Sequence, residues 1–404
     1  MKTNAPEDTA MNAHSLPHLA HFRDARAVVA ARMPDRPLFC FSRGALIDQA
    51  ERFLAGFPGH VSYAVKCNPW RDILLTLRQA GIETFDVASL AEIEMVRSLL
   101  PEAVLHYHNP IKSRGEIEAA FHQYGCRRLA IDCAEELAKI AAIAGTDDDL
   151  EIAIRFVLPR QAGSAGHDFS TKFGASPTEC AALLRQVAAL GYRPVLTFHP
   201  GSQCADPAVY ARHIAAAGEI SRMAGIQPAI LNVGGGFPAE YEPARLPPLE
   251  AFFNAIAEAA DTAFTEQRPQ LECEPGRGMA ASCMSLLTRV KLAQPASGDL
   301  FLNDGIYGGL MELPQSAAIR PPYRLLRQDG GKGRDGARTV GWKTFGPTCD
   351  PLDVLPGQVT LPADLQEGDY VEFGALGAYA LATVTPFNGY GGHEIVAVDA
   401  VHSV

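Results

Sequence analysis

Short apolar runs alternate with amphipathic stretches through most of this chain. Runs of strand-favouring residues fall at 38–41, 61–65, 84–88, 103–107, 128–132, 150–157, 195–199, 229–233 and 270–274. Between them, helical spacing recurs at 45–57, 72–80, 90–99, 115–122, 134–144, 177–190, 209–224 and 246–264. Pro58-Gly59 and Gly81 punctuate the first two helices, and Ser89 stands where an N-cap is needed. Alternation of this kind about eight times, at roughly 25–45 residues per unit, predicts a (β/α)8 barrel of the TIM type.

The rhythm changes near Met279. Strands at 285–292, 300–302, 338–344, 370–373 and 395–400 then follow one another with turns between them. Residues 279–404, together with 1–41, are read as a β domain of sandwich or barrel-like form, joined by the strand near Leu38. Residues 42–278 are read as the barrel. The stretch 327–338, RQDGGKGRDGAR, is rich in glycine and charge and is expected to be a mobile loop. No internal repeat beyond the barrel rhythm is evident.

Composition narrows the class. The chain has 404 residues, 47% hydrophobic and 20% charged, as in an ordinary soluble enzyme. Its net charge of -11 argues against nucleic acid or an anionic membrane as the partner. No apolar run approaches the ~18 residues of a membrane span. Residues 1–18 are polar and lack an apolar signal core, so they are read as a frayed lead-in to a cytoplasmic protein. The nine cysteines are irregularly spaced, with no CxxC pair, which speaks against zinc and a disulfide framework. No metal ligand set is expected.

Candidate chemistry sits where strands end. Lys66 closes the run VSYAV and is followed by Asn68-Pro69. By itself it is a strand-end lysine reaching solvent, or an activated amine. Gly234-Gly235-Gly236 reads as a tight turn or as a phosphate cradle, because no Cβ bars the backbone amides. His199 in FHPGS is by itself a structural histidine or an active one. Arg277 in EPGR is suited to a phosphate. Taken in order, Lys66, His199, Gly234 to Gly236, Glu274 and Arg277 fit one cofactor. Pyridoxal phosphate needs an amine, a flat group on its ring face, a phosphate seat and an acid at its ring nitrogen.

The motifs YAVKCN (63–68), FDVAS (85–89), KFG (172–174), FHPGSQC (198–204), GGGFP (234–238), EPGR (274–277), NDGIYG (303–308), GPTCDPLD (346–353) and GAY (377–379) occur in this order. With them the chain resembles the fold-type III pyridoxal-phosphate decarboxylases, and most closely the ornithine decarboxylase branch. The resemblance implies that Lys66 anchors the cofactor, Glu274 faces the ring nitrogen and His199 stacks on the ring. Ser202, Gly234, Gly235, Gly236, Arg277 and Tyr379 would hold the phosphate, with Asp86 and Arg155 supporting the inner site. Cys349 and Asp350 would cross a homodimer interface, Cys349 returning a proton and Asp350 binding the distal ammonium of a basic substrate such as ornithine or lysine. Tyr307 and Glu312 are the remaining substrate-side candidates.

Some residues depart from the family pattern. The second acid expected after the DGxYG motif is absent from its offset. Glu312 is the only carboxylate in 308–316, and Arg320 follows soon after. Asn232 stands where Asp is common. A larger or acid-tailed amino-acid conjugate of secondary metabolism therefore stays open as substrate beside the diamino acids of polyamine biosynthesis. Diaminopimelate decarboxylation is disfavoured by Cys-Asp in place of Cys-Glu. A racemase on the same barrel, and a non-catalytic regulatory relative, are the readings from other classes.

Overall fold

The structure is a computed structural model that describes residues 19–159, 172–241, 246–328 and 338–403. The lead-in at 1–18, and residues 329–337 of the loop expected at 327–338, lie outside the described residues.

Eight parallel strands close into a barrel. They are β1 (His60–Ala64), β2 (Thr84–Val87), β3 (Val104–Tyr107), β4 (Arg128–Ile131), β5 (Glu151–Arg155), β6 (Arg193–Thr197), β7 (Ile230–Asn232) and β8 (Gln270–Cys273). β8 pairs back onto β1, with Cys273 opposite Val61. Each strand is buried on both faces, which is why the runs are nearly continuous in apolar character rather than alternating. Several of the flanking helices start where a serine stands. Ser42 and Ser89 accept from the backbone of the first turn, and Ser113 and Ser176 form capping boxes with Glu116 and Glu179.

The barrel interior is only partly apolar. Ala130, Ala153, Val195 and Ile230 form a small cluster of their own. Beside them runs a buried polar column. His106 Nδ1 meets Glu272 Oε1 at 2.9 Å, Arg128 also pairs with Glu272, and Arg128 Nη2 reaches Glu151 Oε2 at 2.6 Å. Charges removed from water are tolerated only when partnered in this way. Burial alone would raise the Glu272 carboxyl, but His106 and Arg128 hold it well below the usual carboxylate range.

Strand Leu38–Phe41 leaves the barrel and pairs with the long strand Met284–Gln294 and with Glu394–Val398 in a separate sheet. The sheet also takes in strands the sequence pattern did not reveal, among them Tyr323–Leu326 and Val359–Pro362. Trp342 is fully buried in the main core, on strand Thr339–Phe345. Among the described residues no helix is long and apolar enough to cross a membrane.

Candidate active site

The C-terminal tips of the barrel strands converge on a cavity of about 480 Å³. A second cavity, about 560 Å³, lies in the sheet domain against Asp35, Arg289 and Tyr390. It contains none of the strand-tip chemistry, so the barrel mouth is the candidate.

Lys66 does not end strand β1, as the apolar run suggested. The strand stops at Ala64, and Val65–Cys67 forms a single 3-10 turn. That turn swings Lys66 into the cavity with its side chain 46% exposed, while Val65 and Cys67 stay in the core. Its Nζ lies 3.9 Å from Oδ2 of Asp86, at the tip of β2. Asp86 Oδ1 lies 3.6 Å from Nδ1 of His108, just beyond β3. His108 Nδ1 in turn contacts Oε1 of Glu274, just beyond β8. Four strand tips are thus linked from the amine to the buried acid.

The two carboxyls of this chain are driven apart. Burial and the neighbouring Glu274 charge push Asp86 up to about 7. Burial would also raise Glu274, but the charge and hydrogen bond of His108 hold it down to about 2. Asn232 helps, since its amide donates to Glu274 and its Oδ1 accepts from the Gly234 N–H at 2.8 Å. An Asp at 232 would place a third carboxylate between Glu272 and Glu274, so the departure noted in the sequence has an electrostatic reason.

His199 presents a neutral ring. Burial, with Arg155 and Lys66 nearby, keeps it far below the usual imidazole range, and its Nδ1 accepts the Gly201 N–H at 3.0 Å. Gly234, Gly235 and Gly236 turn tightly beneath it. A Cβ at Gly235 would sit 2.7 Å from the Glu274 carbonyl oxygen and 3.4 Å from His199 Nε2, and Gly234 and Gly236 take φ of 68° and 89°.

Arg277 is buried nearby. It donates from Nε to Ser202 Oγ at 3.2 Å and from Nη1 to the Tyr241 hydroxyl, and its guanidinium carbon lies 4.9 Å from the centre of the Tyr379 ring. Tyr379 is held at φ 54° by its N–H bond to the Cys67 carbonyl, an uncommon conformation for a non-glycine. Glu312, a candidate for substrate contact, instead spends both carboxylate oxygens on Arg277. Arg155 and Lys172 also line the cavity, their charged ends 5.6 and 4.9 Å from the centre of the Phe173 ring.

Cys349, Asp350 and Tyr307 are brought together, but not at this cavity. Cys349 is exposed, and its N–H donates to Asn388 Oδ1 at 3.1 Å. Tyr307 donates its hydroxyl to Asp350, which holds that carboxyl below its usual range. Arg320 is exposed and bonded to the Ala317 carbonyl.

His108 and Tyr241 were missed by sequence reasoning. His108 had a usable signal: it precedes Asn109-Pro110 at a strand tip, much as Lys66 stands just before Asn68-Pro69. Tyr241 had none, because its approach to Arg277 depends wholly on the fold.

These residues suit pyridoxal phosphate. An amine, a neutral imidazole, a serine and an arginine face one cavity, with the strongly ionised Glu274 behind its wall, joined to it through His108, whose buried Nε2 has no hydrogen-bond partner among the described residues. When bound, the cofactor supplies an electron sink for the carbanion left by CO2 loss.

Comparison with known proteins agrees. The family described as pyridoxal-dependent decarboxylase, pyridoxal binding domain, matches residues 43–281. The chloroplastic ornithine decarboxylase of Nicotiana glauca is 30% identical over 391 residues, covering 92% of this chain and 86% of that protein. The lysine/ornithine decarboxylase of Selenomonas ruminantium is 32% identical over 339 residues, covering 82% and 81%. The solved structure of the Paramecium bursaria Chlorella virus arginine decarboxylase bound to agmatine superposes with a TM-score of 0.82 at 27% identity, over 93% of this chain and 99% of that one. With fold, strand-tip residues and relatives in agreement, this chain belongs to the pyridoxal-phosphate-dependent amino-acid decarboxylases of the ornithine, lysine and arginine type.

Proposed function

We propose that this enzyme decarboxylates a basic diamino acid, ornithine or lysine, to the diamine. The observation that carries the reading is the linked set Lys66, Asp86, His108 and Glu274, which joins an accessible amine to a buried anionic acid across one cavity. Lys66 would hold the cofactor covalently. Glu274 would keep a proton at the ring nitrogen, and neutral His199 would stack on the ring without repelling that charge. Ser202, the Gly234–Gly236 amides, Arg277 and Tyr379 would seat the phosphate.

Cys349 would return the proton to Cα as general acid, and Asp350 would bind the distal ammonium. Both lie away from the cavity of their own chain, Cys349 on its surface, which supports a homodimer with each site completed by the other copy. Mixing Lys66→Ala with Cys349→Ala protein tests this. Random pairing should restore about a quarter of wild-type turnover, because half the dimers carry one intact site of two. No recovery on verified subunit exchange removes the shared site.

Arg155 and Lys172 favour a second reading. With Glu312 paired to Arg277, these two cations give the cavity wall an affinity for an acid-tailed substrate. Measuring CO2 release from ornithine, lysine, arginine, diaminopimelate and carboxylated conjugates separates the two. Turnover of acid-tailed substrates alone would overturn the basic one. A chiral product without CO2 would indicate racemisation. All nine cysteines are free, which supports a reducing, cytoplasmic setting.

A further inference from the structure

His108 is given no role toward the cofactor above, yet it is directly bonded to the acid read as facing the cofactor's ring nitrogen. Its side chain is 7% exposed. Nδ1 is bonded to Glu274 Oε1, while Nε2 is buried without a hydrogen-bond partner among the described residues. An imidazole with one nitrogen tied to a carboxylate and the other in the wall of a cavity is a charge-setting group rather than packing.

Several charges surround it. Glu274 follows β8, Asp86 lies 3.6 Å away on β2, and His106 stacks at 5.5 Å from its own strand. Arg128 on β4 opposes its protonation, and Lys66 and Arg155 act on the two carboxylates. Burial alone would lower His108, but Glu274 and Asp86 outweigh it and raise it above the usual imidazole range. The contact with Glu274 and the nearness of Asp86 therefore favour the cationic ring.

A carboxylate shared between two cationic groups supports each less than it would support one alone. We propose that His108 is a positioning residue that divides the charge of Glu274 between its own imidazolium and the ring nitrogen of the bound cofactor. This rests on the reading of Glu274 as the acid at that nitrogen. His108 thereby makes the ring proton, and with it the electron sink, responsive to pH.

The test follows the isotope-labelled ring nitrogen of pyridoxal phosphate in the holoenzyme by NMR, from about pH 5 to about pH 10. Wild type, His108→Ala, His108→Asn and Glu274→Gln are compared, with folding checked by circular dichroism. Removing the competing cation should move the ring-nitrogen midpoint upward by about one to three pH units. His108→Asn, which keeps a donor but no charge, should do the same, and it carries the test if the alanine variant fails to fold. Glu274→Gln should move the midpoint down. A wild-type midpoint retained in folded His108 variants overturns the proposal, as does a wild-type ring that stays protonated throughout. If Glu274→Gln also leaves the midpoint unmoved, the assignment of Glu274 itself fails, whereas movement there alone spares that assignment.

Discussion

Arg277 and Glu312 form a two-pronged ion pair in the wall of the cavity. Arg277 Nη1 donates to Oε2 at 2.9 Å and Nη2 donates to Oε1. The guanidinium that would grip a phosphate is thus already gripped by a carboxylate of its own chain. Phosphate and Glu312 compete for the same fork, and two anions side by side repel. Glu312→Gln should therefore tighten cofactor binding by about tenfold, about 1.4 kcal/mol. Titrating the cofactor-free protein with pyridoxal phosphate measures this. Weaker binding would mean that Glu312 orients Arg277 for the phosphate rather than competing with it.

Lys66 is half exposed, and its turn is held by Val65 and Cys67 in the core. Lys66→Ala should therefore fold normally but lose the visible absorbance of a lysine-bound cofactor. An unchanged band would reassign the anchor.

Asp86 has a folded-state pKa of about 7, against an ordinary value of 3.8. The folded state then binds the extra proton between those values, so this group costs stability as pH rises through about 7. Asp86→Asn should raise the Tm of the cofactor-free protein by a few degrees at about pH 8 and leave it little changed at about pH 4. Glu274 runs the other way. Its carboxyl is lowered to about 2, so its contribution is present above its ordinary value of 4.5 and is lost as pH falls toward about 2. Thermal melts of wild type, Asp86→Asn and Glu274→Gln across pH check both signs.

Cys349 lies on the surface and is not among the described residues that line the cavity. Cys349→Ala should keep the cofactor spectrum and its affinity, while product formation falls by about 10²–10⁴-fold, the usual worth of a general acid. Wild-type turnover would remove Cys349 from the mechanism.

Much of this was legible before any coordinates. The period of the apolar runs is a local property, and strands such as Leu38–Phe41 and Tyr370–Phe373 fall where that period places them. The strand-tip chemistry at Lys66, His199, Gly234 and Glu274 was equally readable, since a polar residue ending an apolar run needs an exit to solvent or a partner. Short strands such as Tyr323–Leu326, half covered and lacking a continuous apolar run, were not.

The partnerships were beyond reach. His108 and Glu274 are 166 positions apart, Arg277 and Glu312 35, and Asn232 and Glu274 42. The sequence by itself determined which residue types stand at the mouth of the barrel, because an apolar run that ends in a polar residue marks where a buried strand gives way to a turn. Only the tertiary structure decided which of those groups share a proton or a charge. Electrostatic coupling depends on distances of a few ångströms across neighbouring strands, and local pattern carries no information about them.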